Sequence, residues 1–407
     1  MENKEIILVR ITGEDKPGLT ASITEVLAKY DANILDIGQA DIHNTLSLGI
    51  LFIAEEQYSG YIMKELLFRA SDLEVGIRFK PISVEEYEKW VSAEGKNRYI
   101  LTLLGRQINA KQITAVTSIL AEQGMNIDAI RRQTGRPPLN PNDPQHRRAC
   151  VELSVRGTPL NKDSMHAQLM QLSSQLEMDF SLQVDNMYRR TRRLICFDMD
   201  STLIETEVID ELAMRAGVGD QVKAITESAM RGEIDFKESF KQRIGLLKGL
   251  DESVLEDVAE NLPITEGVER LMSVLKHHGY KIALLSGGFT YFGQHLQKRF
   301  GIDYVYANEL EIVDGKLTGN YLGEIVDGKR KAELLRLIAQ VEKVNIAQTI
   351  AVGDGANDLM MIKEAGLGIA YHAKPKVREN AKQSINNMGL DGVLYFLGFQ
   401  DTYMRGC

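Results

Sequence analysis

"LICFDMDSTLIETE", residues 194–207, decides how the second half of this chain is read. An apolar run stops at Asp198, and a second carboxylate, Asp200, follows one residue later. Like charges this close raise each other's pKa and cost stability, so they call for a cation or for a reaction that uses them both. Cys196, inside the run, reads as a small buried residue.

The run is the first of several. "KIALLSGG" (281–288), "TIAVGDG" (349–355) and "LGIAY" (367–371) are also short and apolar, and helical patterns fill the gaps between them. Strands alternating with helices predict a doubly wound parallel sheet. A long insertion at about 206–265 has helical periodicity and is the size of a cap over the sheet's edge. In such sheets ligands bind outside the carboxyl ends of the strands. Three of the four runs end in residues suited to one chemistry: Asp198 and Asp200; Ser286, Gly287 and Gly288; Asp354, Asn357 and Asp358. An Asp after a strand is ordinarily a cap or turn residue, but three such endings in order need another explanation. Asp198 and Asp354 are hard oxygen ligands that suit magnesium, with a backbone carbonyl beside them. A carboxylate can also act as a nucleophile through an acyl phosphate, and a second acid two residues on can serve the leaving group.

The N-terminal half carries an imperfect repeat. "IILVRITGEDKPGLTASITEVLAKYDANILDI" (6–37) resembles "YILTLLGRQINAKQITAVTSILAEQGMNIDAI" (99–130), offset by 92 residues at Gly13 and Gly105 and by 93 at Asn33 and Asn126. Each copy continues with a third strand, a helix and a last strand, a βαββαβ order of the ferredoxin-like kind. "RQTGRPPLNPNDPQHRRA" (132–149) reads as a mobile loop, and "MYRRTRRL" (187–194) as a solvated basic linker. The expected domains are 1–84, 95–186 and 192–400.

Composition sets the outer limits. A chain of 407 residues suits two or three domains. Its formal net charge of −9 argues against nucleic acid as the main partner. Three widely spaced cysteines, Cys150, Cys196 and Cys407, form neither a disulfide framework nor a zinc pattern and fit a reducing, cytoplasmic compartment. The N-terminus carries no secretory pattern and no stretch approaches a membrane span.

"DMDSTL", "LLSGG" and "VGDGANDLMM" resemble the motifs of the haloacid dehalogenase superfamily in its phosphatase branch. The resemblance implies a haloacid dehalogenase-like fold with Asp198 as nucleophile and Asp200 as general acid/base. It implies Mg²⁺ held by Asp198, the carbonyl of Asp200 and Asp354, with Asp358 behind them. Ser286, Gly287, Asn357 and a lysine would bind phosphate. "DGKRKAELL" offers Lys329 and Lys331, of which Lys331 opens the helix leading to the third run. Dehalogenases proper lack the second aspartate, so Asp200 argues for phosphate chemistry.

The stretch from 194 to about 398, with "STLIETEVIDELA", "ITESAMRGEIDFKESFKQRIGLLKG" and "TEGV", is similar to the phosphoserine phosphatase family. There Glu207 and Arg243 would hold the amino-acid part of the substrate, and Met230 and Phe236 would wall its pocket. A Glu and an Arg suit a zwitterion, the one for an ammonium and the other for a carboxylate. Each N-terminal copy resembles an ACT domain, a module that often binds amino acids. Asp15 and Gly18 fall near the effector site this implies; the second copy has Gln107 and Ala110 instead. The resemblance implies hydrolysis of phosphoserine to serine as the last step of serine biosynthesis, feedback control by serine, and a homodimer. Manganese in place of magnesium, another small phosphomonoester as substrate, and an amino-acid sensor on a phosphatase fold stay open at this point.

Overall fold

The computed structural model describes residues 3–92, 97–136, 148–404 and 406. It divides into two units, residues 1–96 and 97–407.

The first unit runs β1 (Lys4–Glu14), α1 (Leu19–Lys29), β2 (Asn33–Ile42), β3 (Thr45–Glu55), α2 (Glu56–Asp72), β4 (Gly76–Ile82) and α3 (Val84–Ser92). Its antiparallel sheet has the order β2-β3-β1-β4. The period of two in β1 turns Ile7, Val9 and Ile11 inward, where they meet Leu19, Ile23 and Val26 of α1 and Ile62 and Leu66 of α2.

The second unit opens with the same plan: β5 (Arg98–Gly105), α4 (Ala110–Glu122), β6 (Asn126–Arg132), β7 (Ala149–Arg156), α5 (Lys162–Gln175) and β8 (Asp179–Val184). Its strands lie in the matching order β8-β5-β7-β6. The two copies share an irregularity. The second strand slips register between Ile34 and Asp36 in one and between Ile127 and Ala129 in the other. The two helix starts differ. In α4 the Asn109 side chain accepts from the Gln112 N–H and the Gln112 side chain answers, whereas α1 starts at Gly18, with φ 87° and no side-chain cap.

After α6 (Met187–Arg190) come β9 (Leu194–Phe197), α7 (Val208–Arg215), α8 (Gly219–Met230), α9 (Phe236–Gly245), α10 (Ser253–Glu260), α11 (Val268–His277), β10 (Lys281–Phe289) and α12 (Thr290–Phe300). The chain continues with β11 (Tyr304–Val313), β12 (Lys316–Leu322), α13 (Gly328–Val341), β13 (Thr349–Gly353), α14 (Leu359–Glu364), β14 (Leu367–Tyr371), α15 (Pro375–Asn380), β15 (Gln383–Ile385) and α16 (Gly392–Phe396). The parallel strands have the order β11-β10-β9-β13-β14-β15. The chain leaves β9 toward one edge and later returns to β13 on its other side. That makes the carboxyl ends of β9 and β13 the switch point where ligands bind. Alternation sorts the core: Ile195, Phe197, Ile282, Leu284, Ile350 and Val352 face one layer, and Leu194, Cys196, Ala283, Leu285 and Ala351 the other. Both faces are covered, as the unbroken apolar runs require. Helices α7 to α10 form the cap, and an Ile204–Ile264 bridge closes its two ends together.

The structure adds to the sequence reading in three places. The βαββαβ copy of the second unit is not set apart from the parallel sheet. Strand β8 pairs with β15 at Phe180 and Ser384, making one sheet of eleven strands. The Gln383 carboxamide extends that short contact by donating to the Leu182 carbonyl and accepting from its N–H, both at 3.0 Å. The basic stretch 187–194 is only in part a solvated linker: Met187, Tyr188, Arg190 and Arg193 are exposed. Arg189 is buried and pairs with Glu152 of β7 at 2.6 Å, and Arg192 is buried beside it. Finally, the sheet includes β11, β12 and β15, which the apolar runs did not mark. Residues 137–147 of the proline-rich loop lie outside the described residues, as does Cys407. Among the described residues no helix is long and apolar enough to cross a membrane.

Candidate active site

Strand β9 delivers Asp198 to the switch point. Its N–H still donates to Val352 of β13 at 2.9 Å, so the backbone is held by the ladder up to Asp198 itself. The chain then turns sharply: the N–H groups of Thr202, Leu203 and Ile204 all donate to the Met199 carbonyl. Ser201 takes φ 54° within this turn, a left-handed conformation that non-glycine residues rarely adopt. The turn brings Asp200 back over the sheet, where its Oδ1 accepts from the Val208 N–H at 3.0 Å. Ser201 Oγ donates to Glu207 Oε1 at 3.0 Å, which fixes Glu207 at the entrance to the cap.

Two donors converge on one oxygen of Asp198: the Met199 N–H at 2.7 Å and Lys331 Nζ at 2.8 Å. Lys331, wholly buried, also reaches Asp358 Oδ1 at 2.7 Å. The other oxygen of Asp358 accepts from the Gly355 N–H at 3.0 Å, so Asp358 ties the β13 loop to the lysine. Lys329, by contrast, is exposed and pairs with Glu333 at 3.8 Å. The structure thus brings Lys331, and not Lys329, to the carboxylates.

Carboxylate oxygens of Asp198, Asp354 and Asp358 lie within 4.8 Å of one another. Burial pushes Asp198 well above the usual carboxylate range, the Asp358 charge adds to this, and Lys331 opposes it. Burial and then the Asp358 charge push Asp354 up to about 7. One lysine does not balance so many acids, and a hard divalent cation among these oxygens would. The donor set fits such an ion. Burial and then Glu207 push Asp200 well above its ordinary value, against the pull of the Val208 N–H. A carboxyl held in its acid form is what a proton donor needs.

Ser286, Gly287 and Gly288 occupy a break in the β10–β11 pairing, between the Leu285–Tyr306 and Phe289–Asn308 partners. Ser286 Oγ is buried and accepts the Gly288 N–H at 2.9 Å, which leaves its own proton to donate elsewhere. Both glycines stand in close quarters, Gly288 the more tightly. A Cβ on Gly288 would stand 2.6 Å from Asp200 Oδ2, and one on Gly287 would stand 3.2 Å from Cζ of Phe236 in the cap. Phe236 therefore rests on the loop that follows Ser286. The Asn357 side chain is on the same side of Gly287, its Nδ2 3.7 Å from that Cβ position.

Arg243 is half-buried on α9. Its guanidinium feels the charges of Glu207, Asp210 and Asp200, although burial, the larger effect, holds it below its ordinary value. Glu207, Arg243 and Phe236 thus border the space above Asp200. The Met230 side chain lies outside the described residues. In the first unit Asp15 and Gly18 are exposed at the start of α1, and no atom lies within 4 Å of a Cβ position on Gly18. Nothing in the sequence singled out Asn308, a buried side chain on β11 that contacts the Gly287–Gly288 loop.

Residues 5–80 and 98–183 each match an ACT domain family, and residues 192–366 match the haloacid dehalogenase-like hydrolases. The phosphoserine phosphatase of Streptomyces coelicolor is 38% identical over 398 residues, covering 96% of this chain and 92% of its own. That of Archaeoglobus fulgidus is 39% identical over 344 residues, 84% of this chain and 95% of its own. Among solved structures, a haloacid dehalogenase family hydrolase from Salmonella enterica serovar Typhi superposes with a TM-score of 0.62 at 32% identity, over 73% of this chain and 98% of that one. An unliganded probable phosphoserine phosphatase from Vibrio cholerae gives 0.58 at 33% identity, over 77% and 90%.

Proposed function

The chain belongs to the phosphoserine phosphatase family, and from that premise we propose that it hydrolyses O-phospho-L-serine to L-serine and phosphate through a phosphoaspartate at Asp198. The observation that carries the mechanism is the convergence of the Met199 N–H and Lys331 Nζ on Asp198, with Asp200 and Ser286 beside the same space. The substrate rests on Glu207 and Arg243, which offer an anion for the ammonium and a guanidinium for the carboxylate.

An oxygen of Asp198 attacks phosphorus as the bond from phosphorus to the serine oxygen breaks. Asp200, in its acid form, gives its proton to the departing alkoxide and is left as a carboxylate. Serine leaves. Asp200 then takes a proton from water, the resulting oxygen attacks phosphorus, and the bond to Asp198 breaks, which restores both carboxyl groups and releases phosphate. Lys331, the Ser286 hydroxyl, the Gly287 amide and the Asn357 side chain offset charge on the transferring phosphoryl group. Mg²⁺ would be held by Asp198, Asp354 and the Asp200 carbonyl, with Asp358 behind them, and when bound it draws charge off the phosphoryl oxygens. Phe236 closes the pocket from the cap and keeps water out of the first step.

Serine is the expected effector of the first unit, at Asp15 and Gly18, where α1 starts without a side-chain cap. A homodimer built partly through residues 1–186 is supported by the exposed edge strand β2 of the first unit, with Ile37 48% and Ile42 81% exposed. Buried, unpaired Cys150 and Cys196 suit a reducing compartment such as the cytoplasm.

The test is a quenched turnover with phosphorus-labelled phosphoserine. Label is expected on Asp198, none in Asp198→Asn, and faster turnover of phosphoserine than of phosphothreonine or a phosphosugar. Label on another side chain would remove the mechanism. Equal turnover of all three esters would remove the substrate and leave the phosphatase.

A further inference from the structure

The loop after Ser286 poses a problem of hydrogen bonding. Strands β10 and β11 pair at Leu285–Tyr306 and again at Phe289–Asn308. Three residues, Ser286, Gly287 and Gly288, therefore stand on one strand opposite Ala307 alone on the other. Such a bulge removes backbone groups from the ladder, and a buried carbonyl without a donor is costly. The Gly287 and Gly288 carbonyls are both supplied by one side chain. Asn308 Nδ2 donates to them at 2.8 and 3.2 Å.

The other end of the same carboxamide is also used. Asn308 Oδ1 accepts from the Val326 N–H at 2.8 Å. Val326 directly precedes Asp327, which caps α13 by accepting the Arg330 N–H at 2.9 Å and whose carbonyl receives the Lys331 N–H at 2.9 Å. Asn308 is 1% exposed. Its rigid planar amide thus spans the two segments that would hold the phosphate: the Ser286–Gly288 loop and the start of the helix that carries Lys331. In a planar trans peptide the carbonyl and the N–H point in opposite directions. Fixing the Gly287 carbonyl fixes the direction of the Gly288 N–H, which is the donor to Ser286 Oγ. The orientation of the serine hydroxyl therefore depends on Asn308 through one peptide plane.

We propose that Asn308 is a positioning residue for the phosphoryl group: it sets the Ser286–Gly288 loop and Lys331 at a fixed separation without touching substrate. The inference rests on phosphate chemistry at this site and is indifferent to which alcohol the phosphate leaves. Asparagine suits the task because it offers two donors to two carbonyls and one acceptor to an N–H within a single plane. Aspartate keeps the acceptor and the volume but has no donor, and it sets a negative charge against two carbonyl oxygens.

The experiment compares the full-length parent with Asn308→Asp and Asn308→Ser, the latter keeping one donor. For each, kcat and KM, inhibition by inorganic phosphate, the Mg²⁺ half-saturation and the melting temperature are measured. Asn308→Asp is expected to weaken phosphate inhibition and lower kcat/KM, each by about 10²-fold, as expected for misplacing a binding group by an ångström. Asn308→Ser is expected to fall between it and the parent, and the Mg²⁺ half-saturation is expected to stay within about twofold because the carboxylates are held by other bonds. A folded Asn308→Asp with parental phosphate inhibition would overturn the proposal. So would losses that follow melting temperature alone, or failure of both variants to fold, since a scaffold role would then account for the residue. Parental turnover of phosphoserine tests the reaction separately, and phosphate inhibition of the parent reads the anion site even if another ester proves to be the substrate.

Discussion

Lys331 Nζ lies 2.8 Å from Oδ1 of Asp198, and neither residue is open to solvent. The same nitrogen holds Asp358, so two buried acids share one cation. Removing one partner of a buried ion pair costs about 3–5 kcal/mol, because the charge left behind has neither water nor a counterion. Lys331→Met should therefore destabilise the metal-free protein by about that amount. A divalent cation would then have more charge to relieve than in the parent. Thermal denaturation with and without Mg²⁺ should show a larger metal-induced rise in the variant. Equal rises would mean that lysine and metal do not act on the same carboxylates.

Asp200 is predicted to act twice, as an acid and then as a base. Asp200→Asn keeps the acceptor for the Val208 N–H but carries no proton to transfer. Turnover of phosphoserine should fall by roughly 10²–10⁴-fold, the usual cost of losing a positioned acid or base. An aryl phosphate whose leaving group needs no proton should still phosphorylate Asp198 in the variant and then stall. Rapid-quench measurements would show a burst of phenol followed by slow turnover, and a proportional loss of both phases would argue against the double role.

Glu207 is held by Ser201 Oγ at 3.0 Å and shares the space over Asp200 with Arg243. If it receives the substrate's ammonium, Glu207→Gln should raise KM for phosphoserine by about 10-fold or more, the scale of a charge-assisted bond worth 1.5–3 kcal/mol. Esters without an ammonium, such as phosphoglycolate, should be affected far less. A KM ratio between the two esters that stays at the parental value would leave Glu207 with no part in specificity.

How much of this was legible in the sequence differs from one element to the next. The carboxylates at the ends of β9 and β13 were, because an apolar run broken by Asp is a local signal. The tetrapeptide VDGK occurs twice and shows where local signals stop. At 313–316 it makes the hairpin turn between β11 and β12, with Asp314 at φ 51° and Gly315 at φ 71°. At 326–329 it caps α13 through Asp327. The residues C-terminal to each copy separate the two: an alternating pattern after the first and a helical stripe after the second. The Asp-Gly pair with alternating flanks was a readable hairpin signal. The joining of β8 to β15 was not, since its bonds link residues about 200 positions apart. Arg189 and Arg192 are buried, Arg189 against Glu152 of β7, a contact that composition alone does not show. Asn308 is one polar letter in "YVYANELEIV"; only the bulge on the neighbouring strand gives it work.

That joining also sets a pH dependence. Asp179, the first residue of β8, is fully buried and accepts from the N–H groups of Asn386 and Asn387 at 2.8 and 3.0 Å and from the Asn387 side chain at 2.9 Å. Burial outweighs these bonds and the nearby His372, and pushes the carboxyl up to about 6 from 3.8. Between about pH 4 and 6 the folded protein then holds a proton that the unfolded chain has released. Stability from this group therefore falls as pH rises through that window, and its cost is fully in place above about pH 6. Two pH units correspond to about 3 kcal/mol, or at most about 1.4 kcal/mol per unit. Asp179→Asn removes the titration whatever it does to absolute stability. The slope of stability against pH from about 4.5 to 6, read from urea midpoints of activity loss with all assays returned to one pH, should differ between parent and variant by up to that amount, the variant losing less as pH rises. Identical slopes would mean that Asp179 stays ionised across the window and that its three donors outweigh its burial.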